Sequence, residues 1–96
     1  MKLEEIRKDI DKVDSQIADL FKERMALSLD IAKAKQEGNL PVVNASREKE
    51  ILHRISNEVG EPLDGYARIL FNTLFDLSRS YHLLGSFLVH IFHQIR

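Results

Sequence analysis

The chain of 96 residues contains no cysteine. That excludes a disulfide framework and thiolate chemistry. It has no excess of either charge: 14 Lys and Arg against 15 Asp and Glu leave a formal net charge of −1. The basic footprint that nucleic acid or an anionic membrane requires is therefore missing. No apolar signal region opens the chain, since Met1-Lys2-Leu3-Glu4-Glu5 is charged from its second residue. A cytoplasmic location is the expectation. No run is long enough to span a membrane. The one apolar concentration, Leu83 to Phe92, is interrupted by Gly85, Ser86 and His90, and it falls well short of the ~20 residues a span needs. It reads instead as a buried or interface helix. There is no strand-like alternation and no internal repeat.

What is present is helical. Hydrophobic residues make up 44% and charged residues 30%, the balance of one soluble globular domain, residues 1–96. Leu3, Ile6, Ile10, Val13, Ile17 and Leu20 recur at spacings of three and four, and the pattern resumes at Leu27, Ile31 and Ala34. This predicts one long amphipathic helix from about Leu3 to about Glu37. Gly38 and Pro41 end it, and Lys33 and Lys35 suit its C-terminal dipole. At 1.5 Å per residue it spans about 50 Å, whereas a compact domain of this length has a radius of gyration of about 13 Å. The helix outruns any globule the chain can build alone, so its seam needs cover from a second subunit or from an extended pair of helices, and a dimer is the economical answer.

A second helix is predicted from about Ala45 to Val59, with Asn44 as N-cap and Ser46 as competitor. Its stripe is Leu52, Ile55 and Val59, with Ile51 alongside, and Glu48 lies in line at its N-terminal end. Gly60 and Pro62 stop it. A third begins near Leu63-Asp64, with Asp64 as N-cap, and covers about 64–94. Ala67, Leu70, Leu74, Leu77, Tyr81, Leu84, Leu88, Ile91 and Ile95 form one stripe. Phe71, Phe75, Ser78, His82, Gly85, Val89 and Phe92 form a second, one residue on. The fold class is all-α: a three-helix subunit with one very long N-terminal helix.

Arg24 interrupts the seam of the first helix, between Leu20 and Leu27. A guanidinium there needs an anion or hydrogen-bond acceptors, because burying it unpaired is costly. Arg7, Asp14, Phe21, Ser28 and Lys35 share the position beside that seam. Arg47 and Glu48 open the second helix, and Ser78 and His82, at i and i+4, make a polar window in the third. Arg7 lies about 25 Å from Arg24 along one helix, but an antiparallel partner subunit brings the two together. Such a shared cationic pocket suits a small molecule with two carboxylates. Taken singly, each residue has a plainer reading: Arg24 snorkels from the seam, Lys35 serves the helix dipole, and His90 and His93 are unconnected with a metal. Their joint order favours the pocket.

That order, Arg7…Arg24…Lys35…Pro41-Val42…Arg47-Glu48…Ser78…His82 on one long and two shorter helices, resembles the all-α, AroQ-type chorismate mutases. The likeness runs from about Leu3 to His82, with local support from Ile6-Arg7-Lys8-Asp9-Ile10-Asp11, Ala32-Lys33-Ala34-Lys35 and Arg47-Glu48-Lys49-Glu50-Ile51-Leu52. The resemblance implies an intertwined helical homodimer in which Arg7 is donated across subunits. It implies that Arg7 and Arg24 bind the carboxylates of chorismate. Lys35 and His82 address the breaking ether oxygen, Glu48 binds the ring hydroxyl, and Arg47 and Ser78 complete the pocket. The implied reaction is the pericyclic rearrangement of chorismate to prephenate in aromatic amino-acid biosynthesis, without cofactor or metal.

Two positions depart from the family pattern. Asn44 stands where aspartate is usual, and keeps the cap while removing a charge beside Glu48; it joins the substrate-binding set. His82 stands where glutamine or glutamate is usual, and donates best as imidazolium. Two other functions remain open on the sequence: an isochorismate-pyruvate lyase on the same scaffold, and a non-catalytic helical dimerisation module.

Overall fold

The computed structural model describes residues 2–41 and 43–94, with side chains as far as Leu83. Three helices follow one another: α1 (Leu3–Glu37), α2 (Ala45–Val59) and α3 (Asp64–Gln94). Val42 and the side chains beyond Leu83, which include the rest of the C-terminal apolar run and the His90 and His93 pair, lie outside the described residues. Among the described residues no helix is long and apolar enough to cross a membrane.

The helix ends are set by local chemistry. At the end of α1 the Leu40 amide donates to the Lys35 carbonyl (2.8 Å) and the Asn39 amide to that of Gln36 (3.2 Å). This paired closure needs one left-handed residue. Asn39 supplies it, with φ 57°. Gly38, to which the sequence assigned the stop, has φ −85° and does not use its freedom. Asn44 caps α2 as expected: its Oδ1 accepts from the Arg47 amide at 3.0 Å. Gly60 ends α2 at φ 68°, ψ −179°, a region essentially restricted to glycine. The start of α3 differs by one residue from expectation. The Leu63 carbonyl accepts from the Ala67 amide (2.9 Å) and so occupies the cap position. Asp64 is instead the first helical residue, where the N-terminal dipole favours its carboxylate.

α3 is the central element. It packs on both α1 and α2, which make no packing contact with each other among the described residues. On α1 the burial is confined to Arg24, Met25, Ser28, Leu29, Ala32 and Lys35. Apart from Arg24, which interrupts the apolar seam, this stripe lies beside it. Seam residues Ile17, Leu20, Leu27 and Ile31 are 53–63% exposed, and before Arg24 on α1 even Ile6 and Phe21 keep 36% and 39% of their surface open. On α3 the second stripe turns inward, with Phe75 buried and Phe71, Ser78 and His82 half-buried, while Leu70, Leu77 and Tyr81 of the first stay exposed. On α1 and α3 most packed side chains flank the strongest apolar row, with Ala67 and Leu74 of the first α3 stripe also turned inward, because a lone α3 covers only one flank of α1.

The result is an open subunit. Its radius of gyration is 17.4 Å, with extents of 60 × 32 × 15 Å. Its accessible surface is 8135 Å². A compact monomer of this mass exposes about 5,700 Å², so roughly 2,400 Å² more is open than such a monomer leaves.

The two glycines at the ends of the α2–α3 connection should respond oppositely to alanine. Gly60→Ala forces a Cβ into a strained backbone and should destabilise by about 1–3 kcal/mol. A Cβ on helical Gly65 meets nothing within 4 Å, so Gly65→Ala should stabilise by about 0.5 kcal/mol. Urea denaturation of the two variants, with the same sign for both, would contradict this account of the turn.

Candidate active site

A cavity of about 340 Å³ opens where α1, α2 and α3 converge. Its volume is that of a small-molecule site. Arg24 and Lys35 enter from α1, Arg47, Glu48 and Arg54 from α2, and Ser78, Arg79 and His82 from α3, with Asn44 at the α2 cap. Leu27, Ile31, Ile51, Phe71 and Phe75 supply apolar wall. Five cations thus surround one carboxylate, an excess suited to a ligand with more than one negative charge.

Arg24 is held from three sides. Its Nη1 donates to Ser78 Oγ at 3.1 Å. Its guanidinium carbon lies 5.9 Å from the Phe71 ring centre and 5.7 Å from that of Phe75, within the range of cation–π attraction. Ser28 ties the set together, donating from Oγ to the Arg24 carbonyl (2.9 Å) and lying 3.0 Å from Ser78 Oγ. All these partners are neutral, and among the described residues no carboxylate pairs with Arg24. Burial alone pulls its pKa below the ordinary arginine value. A lowered pKa in a cation means that its charged form is less favoured folded than unfolded. Arginine stays protonated in both states across neutral pH, so this cost to the empty pocket does not vary with pH there.

The opposite wall is ionic. Arg79 Nη1 donates to Glu48 Oε2 at 2.6 Å, joining α3 to α2. Its Nη2 pairs with Asp76 one turn back on α3. The Arg79 pKa is raised, first by the hydrogen bond to Asp76, against some desolvation, and further by Glu48. Arg47 lies at the exposed rim, with Nη1 3.0 Å from Glu50 Oε1 on its own helix.

The candidate residues Arg24, Lys35, Asn44, Arg47, Glu48, Ser78 and His82 therefore share one cavity. Arg7 does not join them. It lies on the uncovered part of α1, 62% exposed, in an i,i+3 pair with Glu4 at 3.2 Å. Sequence reasoning missed Arg79 and Arg54, and it noted Ser28 only as a neighbour of the seam. Arg79 follows Ser78 directly, but its i,i+3 spacing from Asp76 signals no more than a surface ion pair.

Replacing the unpaired cation separates binding from folding. Arg24→Met removes a desolvated charge and one hydrogen bond, so stability should stay within about 1 kcal/mol of wild type. A dicarboxylate ligand that raises the melting temperature of the wild type should lose that effect in the variant. Unfolding of Arg24→Met, or an undiminished ligand shift, would be inconsistent with this site.

Over residues 6–83 the sequence matches the protein family described as chorismate mutase type II. The chorismate mutase of Methanocaldococcus jannaschii is 44% identical over 54 residues, a stretch covering 56% of this chain and 54% of that protein. The bifunctional chorismate mutase/prephenate dehydratase of Aquifex aeolicus is 42% identical over 53 residues, covering 55% of this chain and 15% of that protein. The chain thus spans about half the length of the first of these curated relatives, and less of the second. Among solved structures, a conserved hypothetical protein from Pyrococcus furiosus aligns with a TM-score of 0.70 at 35% identity, over 83% of this chain and 93% of that one. The matched stretch contains all three helices' contributions to the cavity, from Arg24 to His82, and the chain belongs to the chorismate mutase type II family.

Proposed function

We propose that the protein is a chorismate mutase, converting chorismate to prephenate in aromatic amino-acid biosynthesis. The observation that carries this reading is the half-buried Arg24, whose partners are all neutral, in a cavity rich in cations. A dianionic substrate is the missing counter-charge. The family match and the names of both curated relatives support the same reaction.

The chemistry asks little of the protein beyond placement and charge. The rearrangement is intramolecular, so catalysis consists of holding the compact conformer and stabilising charge that grows on the ether oxygen. Arg24 binds one carboxylate, fixed by Ser78 and the two phenylalanine faces. Lys35, eleven residues on along the same helix, stands about 16 Å further along the axis. Both line the cavity, at opposite ends of the α1 stretch that faces it. Lys35 and His82 address the ether oxygen, Glu48 receives the ring hydroxyl, and Arg47, Ser78 and Asn44 close the pocket.

The working unit in this reading is a homodimer. Pooling the excess surface of two subunits buries about 4,900 Å², at the upper end of the obligate range. An antiparallel partner then lays its own α1 along the open seam and carries Arg7 to the pocket, where Arg7 binds the second carboxylate.

Complementation tests both claims. Purified wild type should convert chorismate to prephenate, whereas Arg7→Ala and Arg24→Ala should each lose at least about a hundredfold in kcat/KM. Co-refolding the two inactive variants should restore about a quarter of wild-type activity, since half the dimers are mixed and each mixed dimer has one intact site. No recovery would refute the cross-subunit arginine. Turnover of isochorismate to pyruvate in place of prephenate formation would assign the scaffold to the lyase reaction, and inertness toward both would leave a dimerisation module.

His82 gives a further test. An imidazole ring N–H can donate to the ether oxygen, so the role asked of His82 is that one hydrogen bond. His82→Gln keeps a donor and should hold kcat within about threefold of wild type, whereas His82→Leu should lose about tenfold or more. Equal rates for the two variants would remove His82 from the catalytic set.

A further inference from the structure

Neighbouring positions on α3 serve opposite walls of the cavity. Ser78 reaches Arg24 and Ser28 of α1, and Arg79 reaches Glu48 of α2. A helix turns by about 100° per residue, so two consecutive residues address both neighbours. The ion pair of Arg79 with Glu48 differs from those of Arg7 with Glu4 and Arg47 with Glu50, which lie within single helices and are largely exposed. Here the two side chains are 33% and 30% exposed, and both line the pocket.

We infer that Arg79 is a positioning residue that fixes Glu48 as the hydroxyl acceptor of the site and holds it away from the cations that receive the substrate's carboxylates. The inference rests on the mutase reading above. Glu48 is the one carboxylate among the cavity's lining residues, and Arg24, Lys35, Arg47 and Arg54 line the same space. A glutamate free to rotate would swing toward those cations and compete with the ligand for them. Arg79 opposes this by tying the carboxylate to α3. Its guanidinium is anchored by Asp76 at Nη2, leaving Nη1 to engage Glu48 Oε2. A carboxylate has two oxygens and several lone-pair sites, so a bond at Oε2 leaves acceptor capacity for a hydroxyl. The planar fork of arginine suits this division between two carboxylates better than the point charge of lysine.

The role predicts a binding defect conditional on the charge of Glu48. Arg79→Gln should raise KM for chorismate about tenfold while kcat stays within about threefold, the signature of lost uniform binding. Arg79→Lys, which keeps the charge but not the fork, should recover only part of that loss. In a Glu48→Gln background, where the neutral amide is not drawn to the cations, Arg79→Gln should change KM less than twofold. This double-mutant cycle isolates the pair from general effects on folding, and melting curves of all variants monitor the latter. An equal KM change in both backgrounds, or none in either, overturns the assignment while leaving an active mutase. A wild type that fails to turn over chorismate overturns the functional reading, and this inference with it.

Discussion

A guanidinium half-removed from water without an anion beside it constrains the rest of this subunit. Arg24 is tolerated because α3 offers it a hydroxyl and two aromatic faces. Those contacts require Phe71, Phe75 and Ser78 to lie on the side of α3 that meets α1. Fixing that side of α3 also fixes the next residue, Arg79, toward α2, and so determines which wall of the cavity is ionic. The neutral wall leaves Arg24 with its full charge to offer, whereas the ionic wall satisfies its own carboxylate internally. A pocket built this way is selective for anions before any ligand arrives, since it presents uncompensated positive charge on one side only.

Much of this was legible in the sequence, for reasons that differ by residue. The extents of α1 and α2 follow from periodicity and breakers, and Asn44 from its side chain's ability to receive an amide. Arg24 stood out because a charge in an apolar row violates the pattern around it. Lys35, Glu48, Ser78 and His82 were individually ordinary, and their order along the chain distinguished them. Arg79 was not legible: it follows Ser78 without breaking any pattern, and its partner Glu48 lies 31 residues away on another helix.

The handover from Gly38 to Asn39 at the end of α1 shows a different limit. Both residues can take a left-handed backbone, and the sequence alone ranks glycine first. The closing bonds from Asn39 and Leu40 place the turn one residue later. A shift of this size is decided by which carbonyls the departing chain can still reach, which periodicity does not encode. The same reasoning covers Asp64, displaced into the helix when the Leu63 carbonyl took the cap.

The seam of α1 has a thermodynamic consequence. A helix that leaves Ile17, Leu20, Leu27 and Ile31 more than half exposed gains little of its stability from its own chain. In the proposed dimer the partner subunit covers that row and contributes the balance, so the folding free energy would include a mass-action contribution. Dilution would then act as a denaturant. A substitution far from the cavity but on the seam would then alter catalysis by changing how many molecules are folded at a given concentration, with every side chain in the pocket intact.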